Sequence, residues 1–336
     1  MKKKLVGVIW ALLLFVVPGK AQQVLSQDAS GDKEYAKVCR EFELRSANCI
    51  DLLEGYLKNH PDSRYANRVQ SMIALVHFDQ ENYRKAIEIF EDCELDALPD
   101  KERDEAVCKM ATAYLKTGNV QEAKVWFKLL KDISRTHASD AVFNLGYIDY
   151  AEGQYDQALE AFLSLREDKV YASLIPYYIG EIYLLRENYG KAEEIASSYL
   201  KRFSGHKDET EMLRIQGEAR YGLKDYLNAV ASLKAYADAV PVPQRKALYK
   251  LGMSHYHTGA YSASVESLAK VIPVDDALAQ NAYLHMGLAY LNLRDRNQAR
   301  MSFEQASLKN HDLGVKEQAL YNYALCIHGT SYSPLA

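Results

Sequence analysis

Residues 144–165 read NLGYIDYAEGQYDQALEAFLSL, and their pattern decides the fold. Leu145, Ile148 and Tyr150, then Ala158, Leu159, Phe162 and Leu165, recur at helical intervals. Between them Ala-Glu-Gly-Gln at 151–154 is a turn signal. The stretch therefore predicts two antiparallel helices joined by a tight turn. Gly146 is followed twelve positions later by Ala158, and four beyond that by Phe162. Two helices approach closely only where side chains are small. Gly146 and Ala158 thus mark the crossing, and Phe162 fills the space beside it.

The same frame runs along the chain. The first small residues are Ala74, Ala111, Gly146, Gly180, Gly217, Gly252, Gly287 and Ala324, spaced by 34 to 37 residues. Twelve on stand Ala86, Ala123, Ala158, Ala192, Ala229, Ser264 and Ala299. Four further on stand Phe90, Phe127, Phe162, Ala196, Leu233, Leu268 and Phe303. Turn signals recur at 116–119 (Lys-Thr-Gly-Asn) and 257–260 (His-Thr-Gly-Ala). A single helix pair cannot bury both of its faces, so the units must stack.

These residues resemble tetratricopeptide repeats. The family's order of small residue, aromatic, Gly, Tyr, Ala and Phe is visible in Gly146-Tyr147-Ile148-Asp149-Tyr150, Gly153, Tyr155, Ala158 and Phe162. It recurs in Ala111, Tyr114, Gly118, Ala123 and Phe127, and in Gly287, Tyr290, Ala299 and Phe303. Departures are the absence of Trp from the first helix, Ser264 for Ala, and Ala196 for an aromatic. The resemblance covers roughly 32–336. It implies an all-α, right-handed superhelical solenoid of antiparallel helix pairs. The expected divisions are an N-terminal helical pair at 32–62, seven repeats at 63–316 and a partial eighth at 317–336. The segment Tyr56 to Ala66, YLKNHPDSRYA, resembles the inter-repeat corner of periplasmic members from Gram-negative envelopes. There Pro61 would stop one helix, and Asp62 or Ser63 would cap the next.

The ends carry their own signals. Lys2, Lys3 and Lys4 precede an apolar run from Leu5 to Val17; Pro18 breaks it, and Gly19-Lys20-Ala21 offers small residues for cleavage. Residues 1–21 are read as a secretory signal peptide, since thirteen apolar residues fall short of the roughly twenty that a bilayer requires. Residues 22–31 are read as a flexible lead, and no other stretch approaches transmembrane length. The first cysteine is Cys39, so the acylated residue of a lipoprotein is missing and a periplasmic protein is expected. At the other end, the eighth unit has a first helix near Glu317 to His328 and no second. Leu320, Tyr323 and Ile327 would face nothing, which suggests a longer array, a covering partner or self-association.

Composition narrows the function. Of 336 residues, 48% are hydrophobic and 26% charged, and 41 basic against 45 acidic residues give −4, falling to −8 without the leader. Disorder and nucleic-acid binding are disfavoured. The chain lacks a Walker motif, GxGxxG, GxSxG, HExxH and CxxC, so no cofactor, metal or catalytic residue is expected. Cys39 with Cys49 and Cys93 with Cys108 are plausible neighbours, although small buried apolar roles are favoured for all five cysteines, Cys326 included.

The 25 tyrosines against 9 phenylalanines are more telling. Tyr83, Tyr155, Tyr189, Tyr226 and Tyr261 open second helices and are read as structural wedges. A second set follows the first helices on the side expected to line the concave surface: Phe78, Phe143, Tyr147, Tyr150, Tyr177, Tyr221, Tyr249, Tyr256 and Tyr321. Glu181, Glu211, Arg214, Glu218 and Lys246 fall on the same lining. By the resemblance, ligands contact this face. The carboxylate clamp of chaperone-type members is absent, because Ser71, Leu75, Cys108, Thr112, Phe143 and Tyr147 stand at its positions. The chain is thus expected to be an exported, non-catalytic scaffold that binds a protein or peptide segment. The alternatives are a glycan-binding repeat protein and the front part of a longer protein whose active part lies downstream.

Overall fold

A computed structural model of the chain describes residues 18–203, 205 and 208–328, with side chains from Gly31 onward. The body of the expected leader, 1–17, and the last eight residues lie outside the described residues. Among the described residues there are seventeen α-helices, one 3₁₀ turn at Leu95–Ala97, and no strand. An opening pair, α1 (Pro18–Glu43) and α2 (Cys49–Asn59), leads into α3 (Ala66–Asp79) and α4 (Tyr83–Glu91). Next come α5 (Asp100–Lys116), α6 (Val120–Ile133), α7 (Ala138–Ala151), α8 (Tyr155–Ser164), α9 (Ile175–Leu185) and α10 (Tyr189–Arg202). The rest are α11 (Glu209–Gly222), α12 (Tyr226–Ala239), α13 (Arg245–His257), α14 (Tyr261–Ala269), α15 (Ala277–Asn292), α16 (Arg296–Leu308) and α17 (Leu313–His328). Helix α1 takes in residues 22–31, expected as a flexible lead. That stretch has no proline and one glycine, at its end, so nothing in it interrupts the hydrogen-bond ladder.

The small residues do what their spacing requires. A Cβ on Gly217 would lie 2.6 Å from Leu233, on Gly252 2.7 Å from Leu268, and on Gly287 2.5 Å from Phe303. Each partner sits sixteen residues on, on the second helix of the same pair. Where that position is Ala196, the gap is filled from the next pair instead: a Cβ on Gly180 would meet Ile215 at 3.1 Å. The seven residues twelve on, Ser264 included, are all fully buried. Ala324, whose partner position lies outside the described residues, is exposed.

The chain divides into two compact units, Met1–Ile148 and Asp149–Ala336. Consecutive helices pack on one another from α1 to α6 in the first and from α8 to α17 in the second, and the apolar core is a string of segments rather than one centre. In the first unit one segment joins α1, α2 and α3 through Val38, Leu53, Tyr56 and Ile73, and the next is built on Phe90, Met110 and Phe127. In the second, Ile215 with Tyr199, then Tyr236 with Leu251, then Leu268 with Met286, then Phe303 with Leu284, form successive segments. Such a core is the signature of stacked repeats. In the second unit the first helices α9, α11, α13, α15 and α17 also touch one another in succession, whereas the second helices make no comparably extensive contact. The layer of first helices is therefore the tighter, inner one.

Every turn inside the seven pairs needs one left-handed residue. Gly118, Gly153 and Gly259 supply three, with φ of 83°, 76° and 79°. Glu81, Glu187, Lys224 and Arg294 adopt the same conformation at the equivalent positions of the other four. The corner after α2 departs from expectation. Neither Asp62 nor Ser63 caps α3; its N-cap is Tyr65, with no side-chain cap. The Ser63 hydroxyl accepts from the Tyr65 amide at 3.2 Å and bonds the Tyr56 hydroxyl at 2.7 Å, tying α2 to the corner. Tyr323 is half-buried against α16, whereas Leu320 and Ile327 are exposed. No helix among the described residues is long and apolar enough to cross a membrane.

Candidate functional site

The inner layer of the second unit concentrates charge and aromatic rings. Arg214 of α11 is 4% exposed. Its guanidinium donates to Glu211 at 2.7 Å, to Glu218 at 3.0 Å and to Glu181 of α9. The other Glu218 oxygen accepts from Lys250 of α13 at 2.5 Å, so one chain of ion pairs crosses three successive first helices. Burial alone would raise the Glu218 carboxyl, but Lys250 and Arg214 outweigh it and hold it below the ordinary carboxylate range. Their partners' carboxylates likewise outweigh burial at Arg214 and fix its charge.

Rings flank this chain. Tyr150 and Tyr177 each meet Tyr178 edge-on, with centroids 5.8 and 5.2 Å apart. Burial, then the Glu181 charge, pushes the Tyr177 hydroxyl up to about 12, and the same two causes raise Tyr150. Tyr249 and Tyr256 converge edge-on upon His285 of α15, at 6.3 and 6.2 Å. The His285 ring bonds the Asn281 carbonyl through Nδ1 at 2.9 Å, and burial lowers its pKa, which favours the neutral ring. The result is an inner face with half-exposed phenol rings set among carboxylates that are already paired.

The first unit has its own cleft of about 230 Å³ between α1, α3 and α5. Arg68 of α3 pairs with Glu102 of α5 at its floor, Nε to Oε2 at 2.7 Å, and lies over the Tyr35 ring. Glu43 and Glu105 add acid to the rim, and Phe42, Met72 and Leu75 line the wall. The free thiol of Cys39 also lines this cleft, beside Tyr35.

Two matches of a tetratricopeptide-repeat family model cover residues 143–207 and 208–282, and a second model of the same repeat covers 280–307. This chain is a tetratricopeptide-repeat protein. No curated protein matches it by sequence. Among solved structures, the MamA protein aligns at 18% identity and a TM-score of 0.42, over 59% of this chain and all of MamA. The Cut9 and Hcn1 complex of the APC/C aligns at 16% identity and a TM-score of 0.47, over 83% of this chain and 52% of that one.

The repeats place the expected lining residues unequally. Tyr150, Tyr177, Glu181 and Arg214 come together, and Tyr249 and Tyr256 share His285. Arg214, read as a ligand contact, has its donors turned onto Glu181, Glu211 and Glu218. Phe78, Tyr221 and Tyr256 each pack edge-on against the tyrosine that opens the following helix, Tyr83, Tyr226 and Tyr261, at 5.4 to 5.8 Å. Phe143 and Tyr147 lie on α7 in the first unit, Tyr147 being 40% exposed, and Tyr321 stands out on α17 at 55%. The wedge reading of the helix-opening tyrosines also has a direct contact: a Cβ on Gly222 would fall 2.4 Å from the Tyr189 ring.

Other features escaped the sequence. Gln280 is fully buried, and its amide bonds the carbonyls of Ala306, Lys309 and Asp312 and the Asp312 amide, clipping the loop before α17. Asn67 clips the loop after α4 through both atoms of the Glu94 peptide. All five cysteines are free thiols, so neither suggested pairing forms. Only Cys49 is fully buried. Burial pushes the Cys108 thiol up to about 11 and the Cys93 thiol up to about 12. Cys108 lies beside His137 and Asp140, with ligand atoms within 4.8 Å of one another. The sequence hint for that trio was the spacing His-x-x-Asp at the start of α7.

Proposed function

We propose that this protein is a non-catalytic interaction scaffold that docks a protein segment on the inner layer of α9, α11, α13 and α15. The observation that carries the reading is the row of half-exposed tyrosines on a face whose buried charges are already satisfied. Phenol rings give large contact area at low entropy cost. The paired carboxylates hold the helices in register without needing a ligand, so the face is preorganised. The occupant is a segment with apolar or aromatic anchors spaced along the layer, laid down as an extended strand or a helix.

Compartment belongs to the same proposal. The three-lysine, thirteen-residue apolar leader supports export to the periplasm, with the mature chain beginning at Gln22. A role in cell-envelope assembly is part of the proposal, through the resemblance of the corner at 56–66 to periplasmic members. The uncovered Leu320, Tyr321 and Ile327 of α17 supply a further contact surface for a partner or a second copy.

Photoreactive phenylalanine placed at Tyr177 or Tyr249 in living cells tests the docking face. Adducts of one defined mass are expected from both positions and none from Leu227, an exposed site on the outer helix α12. Adducts from Leu227 alone would overturn the assignment. N-terminal sequencing of the isolated protein separately tests export, with Gln22 as the first residue expected.

A further inference from the structure

We infer that Cys108, His137 and Asp140 form a binding site for a zinc-type divalent cation in the first unit. These side chains come from two helices. Cys108 lies on α5, and His137 and Asp140 lie at the entry of α7, three residues apart and hence on one face. One ligand atom from each, a thiol sulfur, an imidazole nitrogen and a carboxylate oxygen, falls within 4.8 Å of the other two. Sulfur, nitrogen and oxygen donors on half-buried side chains suit a borderline cation such as zinc rather than calcium or magnesium, which take oxygen.

The local backbone holds the donors in place. The His137 amide donates to the Ser134 hydroxyl at 2.9 Å, and its carbonyl accepts from the Ala141 amide at 3.0 Å, so the residue is fixed where the helix begins. The Asp140 carbonyl accepts from the Asn144 side chain at 2.8 Å. The imidazole and the Asp140 carboxylate now meet at 2.7 Å, Nδ1 to Oδ2, sharing a proton. Bond lengths of about 2.0–2.1 Å place two such ligands about 3.3 Å apart in a tetrahedron. A cation replacing the shared proton therefore needs the pair to part by roughly half an ångström, within the reach of side-chain rotation. The thiol gives up its proton as the cation binds. Three protein ligands leave a fourth position for water.

Titration of the reduced, chelator-treated protein with cobalt(II), whose thiolate complexes absorb in the near ultraviolet, tests the site. One equivalent is expected to produce the charge-transfer band, and zinc to abolish it by displacement. The band should vanish in Cys108→Ser, and affinity should fall by at least about tenfold in His137→Gln and in Asp140→Asn. Far-ultraviolet circular dichroism checks that each variant stays folded, and zinc should raise the thermal midpoint of the wild type but not of Cys108→Ser. No band in the wild type, a band that persists in Cys108→Ser, or affinities unchanged in both His137→Gln and Asp140→Asn would each overturn the inference.

Discussion

Replacing Gly287 by alanine puts the close crossing of the paired helices to a numerical test. Gly287 lies inside α15, where alanine is intrinsically preferred by about 1 kcal/mol. In an open helical position the substitution would therefore stabilise the protein. At Gly287 the added Cβ would sit 2.5 Å from Phe303 Cε1 and 2.6 Å from Cδ1. The optimum for two carbons is about 3.5–4.0 Å, so helix or ring must give by at least roughly 1 Å. Phe303 is fully buried, so any movement of the ring is into the packed core. Overpacking of this kind costs about 1–3 kcal/mol, which cancels or outweighs the propensity gain and leaves a net change between about zero and a loss of about 2. Gly55 is the matched control: it lies inside α2 with nothing within 4 Å of its Cβ, and Gly55→Ala should gain up to about 1 kcal/mol. Urea unfolding followed by circular dichroism measures both, with amide exchange on α15 and α16 to localise the effect, since arrays depart from two-state behaviour. Gly287→Ala combined with Phe303→Leu should recover part of the loss. Stabilisation of the two single variants by the same amount would refute the crossing argument.

Further expectations follow from the turns and the ion pairs. Glycine at Glu81, Glu187, Lys224 or Arg294 removes a left-handed strain of about 1–2 kcal/mol, partly offset by the freedom glycine adds to the unfolded chain. Each should raise the denaturant midpoint by the equivalent of roughly 0.5–1 kcal/mol, and Gly118→Ala should lower it. Arg214→Met takes the cation from the half-buried Glu181 and leaves Glu218 with Lys250 alone, and should cost about 3 kcal/mol in urea unfolding. Arg186→Met breaks the exposed pair with Asp156 and should cost no more than about 1. Glu218 is held below its ordinary value of 4.5, so its contribution stands in full above pH 4.5 and fades as pH falls through the lowered value. Urea midpoints measured from pH 7 downward should show a smaller acid loss in Glu218→Gln than in the wild type.

The crossing residues were legible because a small side chain at a helix contact is demanded by geometry, and its partner lies at a fixed distance along the chain. Gly217 with Leu233 and Gly287 with Phe303 are the direct proof. Only the glycine turns could be read in the same way; Lys224 and Arg294 adopt the same backbone with no residue signature, held there by the packed helices on both sides. The candidate site was half legible. The side of each first helix is set by periodicity, which found Tyr150, Tyr177, Tyr249 and Tyr256. Periodicity cannot say which side chains consume one another. The Glu181, Arg214, Glu218 and Lys250 chain depends on register between neighbouring repeats, as does the Gln280 clip. Cys108 meets His137 for the same reason: one sits within α5 and the other at the entry of α7, a relation no local spacing encodes.

The docking claim is tested most directly by the affinity of the partner captured through Tyr177 or Tyr249 for purified variants. Tyr177→Ala and Tyr249→Ala should each weaken binding by about tenfold or more, equivalent to about 1.4 kcal/mol, while Leu227→Ala on the outer helix leaves it unchanged. Unaltered affinity in both tyrosine variants, with a loss in Leu227→Ala, would contradict the account.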